Sequence, residues 1–117
     1  LHAWYEAADL CVFASSCENM PNILLEGMAF GLPIVCSNRG PMPEVLGDAG
    51  GYFNPEDPLD IAKAIRRWLD FPELREQKAL AAYNLARRYS WALCATETFG
   101  FFAHVRAEYI PSDRQTT

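Results

Sequence analysis

Two glutamates eight positions apart, Glu18 and Glu26, are the pair in this chain best suited to chemistry. Between them, Asn19-Met20-Pro21-Asn22-Ile23 passes from a polar loop into an apolar run. Pro21 fits the first position of a helix, where its missing N–H costs nothing. The free N–H groups and positive dipole end of that helix suit a phosphate. A carboxylate one turn inside, at Glu26, can accept two hydrogen bonds from vicinal hydroxyls, as on a ribose. Charge-assisted bonds of this kind are worth roughly 1.5–3 kcal/mol each. A second carboxylate in the loop, at Glu18, can face a sugar in the same way. By spacing alone, the pair also fits a helix N-terminal acid favoured by the dipole beside an exposed loop acid.

The elements that must hold these residues alternate. His2 to Ala8 reads as the end of a helix, with Trp4, Tyr5 and Ala8 near one face. Leu10 to Ala14 is a continuous apolar run of strand length, which predicts a strand buried on both faces, as in a parallel sheet. The helix from Pro21 runs to Phe30, with Gly31 as its stop. Further strands are expected near 33–36 and 51–53, with a short helix at Glu44-Val45-Leu46 between them. Asp57 as N-cap and Pro58 at the first position open a helix that buries Ile61, Ile65, Trp68 and Leu69. Phe71-Pro72 breaks it. A helix over Glu73 to Tyr89 follows, with Leu74, Ala81 and Leu85 on one face. Ser90 caps a last helix to about Tyr109, where Trp91, Ala95, Thr98, Phe102, Val105 and Tyr109 form a stripe and Phe99 and Phe101 point elsewhere. Aromatic residues on several faces of one helix call for a second packing surface.

Alternation of this kind implies parallel strands joined by right-handed crossovers. The fold class is therefore α/β: a partial Rossmann-like domain with about three parallel strands flanked by helices. Ligands in such sheets bind at the carboxyl ends of the strands. Three loops occupy those ends: Ser15 to Met20, Ser37 to Pro41, and Asn54 to Asp57. Three strands are few for a doubly wound sheet, and position 1 is Leu. The chain is therefore expected to be a fragment: 1–110 as the C-terminal part of a larger domain, and 111–117 as a polar, disordered tail.

The bulk properties narrow the function. At 117 residues, 50% of them hydrophobic, one core is affordable and two are not. Ten Lys plus Arg against fifteen Asp plus Glu give an acidic surface, which argues against nucleic acid. The longest apolar run, near Ile23 to Phe30, is short and interrupted by Glu26, so no segment is expected to span a bilayer. Cys11, Cys17, Cys36 and Cys94 form no C-x-x-C pair and read as free thiols of a reducing, cytoplasmic protein. Cys17 stands apart, in a loop beside Glu18. His2 and His104 have no clustered partners, so no metal site is expected.

The run from Glu18 through Glu26 to Val35 closely resembles the E-x7-E segment of retaining GT-B glycosyltransferases, the glycosyltransferases group 1 of family 4. Arg39 to Gly50, with its Pro43-Glu44-Val45 core, is similar to that family's next segment, and Ser90-Trp91 to its closing helix. The resemblance covers nearly the whole chain to about Tyr109. It implies the C-terminal, donor-binding domain of such an enzyme, acting on a nucleotide-diphosphate sugar with retention of anomeric configuration and without a metal cofactor; no Asp-x-Asp motif argues otherwise. It implies that Glu26 binds the ribose hydroxyls and that Glu18 contacts the transferred sugar as the catalytic-site acid. Asn19 and Met20 would line the sugar pocket through their backbone, and Asn22 and Ile23 would offer N–H groups to the diphosphate or nucleoside. The family commonly has two glycines where this chain has Gly40-Pro41, and Pro41 removes one N–H. Arg39 reads as a solvated loop residue. The partner implied is the N-terminal domain of the same parent chain, towards which the last helix crosses back; alone, the fragment would be inactive. Two alternatives stay open: a binding or scaffold module that has lost catalysis, and a sugar-nucleotide epimerase of the same fold.

Overall fold

The structure, a computed structural model, describes residues 1–109. The expected tail at 111–117 lies outside the described residues. The chain runs α1 (His2–Ala7), β1 (Cys11–Phe13), α2 (Asn22–Ala29), β2 (Ile34–Ser37), α3 (Met42–Leu46), β3 (Gly51–Phe53), α4 (Pro58–Asp70), α5 (Pro72–Ala86) and α6 (Trp91–Tyr109). A single 3-10 turn, Gly47–Ala49, joins α3 to β3. The strands form one parallel sheet in the order β1-β2-β3. Cys11 to Phe13 pair with Ile34 to Cys36, and Val35 to Ser37 with Gly51 to Phe53. The partial Rossmann-like, α/β architecture expected from the alternation of elements is the one observed.

The register sorts the strand residues onto two faces, because side chains alternate. On one face, Cys11, Phe13, Ile34, Cys36 and Tyr52 meet Leu24 and Met28 of α2, Met42, Val45 and Leu46 of α3, and Ala82 of α5. On the other, Val35 and Phe53 meet Trp68 of α4, with Ile61, Ala64 and Ile65 at its margin. Only β2, with neighbours on both sides, is buried at every position. The expectation that β1 is buried on both faces is overturned: Val12 is 44% exposed. Val12 lies opposite Val35, on the face that α4 covers over β2 and β3, and no described element covers it over the edge strand β1.

Several element ends follow the local signals. Asp57 caps α4, its carboxylate accepting from the N–H groups of Leu59 and Asp60. Ser90 caps α6 through a bond from Leu93 N–H to its hydroxyl. Gly31, at φ 71°, closes α2, with its N–H donating to Met28 and that of Leu32 to Gly27. These paired bonds are the Schellman pattern that absorbs the last free carbonyls.

Other expectations need correcting. Pro21 is the N-cap of α2 rather than its first helical residue, with φ −81° and ψ 76°. Leu69 is 47% exposed, because α4 turns only its Trp68 side fully inward. The expected α5 face holds in part: Ala81 and Leu85 pack against the core half-buried, while the buried positions of the helix are Ala79 and Ala82, small enough for close approach. That helix ends at Ala86, where Arg88 and Tyr89 N–H groups turn back to the Leu85 and Ala86 carbonyls. Trp4 of α1 is exposed while Tyr5 is half-buried.

Candidate functional site

The three loops at the carboxyl ends of the strands meet. A side-chain carbon added at Gly40 would lie 3.7 Å from the Glu18 carbonyl oxygen, which places the first loop against the second. Arg39 joins the second to the third: its guanidinium donates to Asn54 Oδ1 at 3.3 Å and lies 3.8 Å from the Glu56 carboxylate. Arg39 is exposed, as expected of a loop residue, yet it is also a clasp. The buried Ser37 hydroxyl accepts the Arg39 N–H, and Asn54 Oδ1 also accepts from Glu56 N–H, so each loop is held from within.

The first loop enters α2 through a tight turn at Pro21. The Asn22 N–H donates to the Met20 carbonyl at 2.9 Å. That bond and the Pro21 dihedrals describe an inverse γ-turn. The Asn22 N–H, expected to face a ligand, is thus engaged within the turn in this structure. The amide of Ile23 has no hydrogen-bond partner among the described residues. It is one of the orphan donors that a helix N-terminus leaves for solvent or an anion.

Glu26 lies on the α2 face that lines an open cleft of about 520 Å³. Met20 and Asn22 share that lining with Tyr89 and Ser90, just before α6, and with Trp91 and Cys94 at its start. The cleft thus unites three of the six candidate residues. Glu18, Asn19 and Ile23 lie outside its lining. Glu18 is half-buried in the loop, and Asn19 and Ile23 are exposed beside it. A second cleft of about 470 Å³ lies on the other side of Met20 and Tyr89, bounded by Glu44, Arg88 and Glu97.

One participant carried no signal in the spacing. The Tyr5 hydroxyl donates to Glu26 Oε2 at 2.8 Å, across 21 positions of sequence. The Tyr5 ring stacks on Phe30 with centroids 4.9 Å apart and planes 15° from parallel. Burial, the hydrogen bond and the Glu26 charge together push the Tyr5 phenol up to about 12. The free thiols differ in setting: Cys36 is buried and pushed up to about 12 by desolvation, whereas Cys17 is exposed. Among the described residues, no group of three His, Cys, Asp or Glu is placed to hold a metal ion. No described helix is long and apolar enough to cross a membrane.

A parallel sheet whose strand-end loops converge beside a helix is a partial Rossmann-like domain, and its likeness to known glycosyltransferases identifies it as part of a GT-B fold. The chain belongs to the family of glycosyl transferases group 1, whose model matches residues 1–70. It is 36% identical over 98 residues to the O-antigen chain mannosyltransferase B of Escherichia coli, covering 84% of this chain and 26% of that protein. It superposes on the C-terminal domain of a glycosyl transferase group 1 family protein from Francisella tularensis with a TM-score of 0.66 and 28% identity, covering 74% of this chain and 45% of that one. Anabaena HepE, solved in complex with UDP, shares the fold at a TM-score of 0.77 and 19% identity, covering 86% of this chain and 29% of that one. The chain spans 19–27% of the length of the curated relatives it matches.

Proposed function

We propose that this chain forms the donor side of a retaining glycosyltransferase and holds a nucleoside-diphosphate sugar whose sugar passes to an acceptor. The observation that carries the reading is the place of Glu26: on α2, in a cleft shared with Met20 and Asn22, inside the segment that matches the family. Glu26 accepts the two ribose hydroxyls. Glu18, in the loop before the helix, contacts the transferred sugar and steadies its charge during same-face attack. Asn19 and Met20 line the sugar side through their backbone. The Ile23 amide and the positive end of α2 meet the diphosphate, while Asn22 contributes its side chain at the cleft. That HepE, which shares the fold, was solved in complex with UDP supports a nucleotide ligand for a domain of this kind.

Neutralising the rest of the diphosphate falls to basic side chains elsewhere in the parent protein, so the reading asks for no metal ion. Acceptor recognition falls to an N-terminal domain of the same parent. Helix α6, which buries none of its side chains here, suits a return path to that domain. The 117-residue chain alone is accordingly expected to transfer no sugar.

Calorimetry on the full-length protein tests the roles. Glu26→Gln should weaken a bound nucleoside diphosphate by about 1–3 kcal/mol, because an amide has one acceptor oxygen where two hydroxyls need accepting. Glu18→Gln should leave that affinity nearly unchanged and lower turnover of the sugar donor instead. Equal loss of nucleotide affinity in both variants rejects the division of roles. NMR of the product's anomeric configuration decides retention against inversion.

A further inference from the structure

Helix α1 has six residues and buries none of them fully. Its polar link to α2 is made by one side chain. The Tyr5 ring lies flat on Phe30, the C-cap residue of α2, while His2 meets the same Phe30 ring edge-on at 5.2 Å. From that stack, the Tyr5 hydroxyl reaches Glu26 Oε2. Phe30 stands one turn beyond Glu26 on the same helix, so the ring that fixes Tyr5 and the acid that Tyr5 touches move together. Tyr5 is not among the residues lining the Glu26 cleft. The phenol thus takes the carboxylate from outside the cleft.

A free glutamate on a helix surface samples many rotamers, and ordering it opposes ligand binding. An ionised carboxylate has about four lone-pair sites. One bond from Tyr5 leaves enough acceptor capacity for two vicinal hydroxyls. A phenol is a protonated donor throughout the neutral range, and that of Tyr5 is raised further. We propose that Tyr5 is a positioning residue: held by its stack on Phe30, its hydroxyl fixes the Glu26 carboxylate in the orientation that receives the diol of a nucleotide ribose. The proposal rests on the reading of Glu26 as the diol-binding acid given above.

Tyr5→Phe removes the donor and keeps the aromatic stack, so the fold is spared. The full-length protein, the Tyr5→Phe and Glu26→Gln variants and the double variant are titrated with whichever of UDP, GDP and ADP binds tightest. Each is also titrated with that nucleotide's dideoxyribose counterpart, which lacks both hydroxyls. Tyr5→Phe should weaken the ribonucleotide about two- to tenfold, the range for one hydrogen bond. It should leave the dideoxy nucleotide unchanged and add nothing in the Glu26→Gln background. Equal weakening of both nucleotides by Tyr5→Phe overturns the positioning role in favour of a packing one. Loss of diol preference in Glu26→Gln but not in Tyr5→Phe overturns it while leaving the function of Glu26 intact. Unchanged diol preference in Glu26→Gln removes the underlying reading and the proposal with it. A ligand-free check stands beside these: the Tyr5 phenol should titrate lower in Glu26→Gln than in the unaltered protein, and an unchanged titration shows that the contact is not made.

Discussion

At the scale of single residues, two tyrosines are tied to the fold through their hydroxyls. Tyr5 donates to Glu26, and Tyr52 donates to the Gly47 carbonyl at 2.5 Å. Both phenols are raised above the ordinary value of 10.0, each chiefly by burial, and Tyr5 reaches about 12. The sign of the effect on stability follows from which state holds the proton. Below pH 10 both folded and unfolded forms keep it, and the contribution is whole. Between about 10 and 12 the unfolded chain releases the Tyr5 proton while the folded chain retains it, so stability falls as pH rises. Denaturant melts across that window should therefore slope downward, and Tyr5→Phe should flatten the slope. An equal slope in the variant would assign the loss to other groups.

At the scale of elements, two glycines are required for different reasons, and substitution separates them. Gly31 has φ 71° with open space around its missing side chain. Gly31→Ala should cost about 1–2 kcal/mol, the strain of a left-handed residue, and leave the core undisturbed. Gly51 has ordinary backbone, but a carbon added there would lie 2.5 Å from Trp68 Nε1. Gly51→Ala should cost about 1–3 kcal/mol through overpacking. Trp4 and Trp91 are exposed at 79% and 83%, whereas Trp68 is 4% exposed, so the buried component of tryptophan fluorescence reports on this one site. That emission should shift in Gly51→Ala and stay put in Gly31→Ala. The cap of α4 offers a third test: Asp57→Ala should lower the melting midpoint by the equivalent of about 1 kcal/mol.

At the scale of the whole molecule, α6 sets the shape. The radius of gyration is 19.1 Å and the long dimension 70 Å, where a compact chain of this length would have a radius near 13 Å. Nineteen helical residues span about 28 Å. Phe99 and Phe102 touch edge-on, and Trp91, Phe101 and Tyr109 stand more than half exposed. A helix without a buried face holds mainly by its own backbone bonds and is marginal in water. Hydrogen exchange should therefore find the α6 amides of the 117-residue chain among its least protected. In the full-length protein the same amides should be slowed, as the proposed return to an N-terminal domain requires. Equal exchange in both would leave α6 without a covering surface and sink that part of the reading.

Features that depend on neighbours along the chain are legible in the residues alone. The parallel direction of the strands followed from alternating elements, the ends of α2, α4 and α6 from Gly31, Asp57 and Ser90, and the family from the run between Glu18 and Val35. These signals are local: a cap, a turn or a helical period is written within a few residues. How much each apolar run is covered emerges only on folding, since Val12 and Val35 read alike in sequence yet differ by whether a helix lies over them. Folding also decides that Asn22 spends its N–H on the Pro21 turn, and that Tyr5 and Glu26 meet across 21 residues. Such contacts depend on how α1 and α2 settle against β1, and no periodicity in the chain encodes the distance between side chains on different helices.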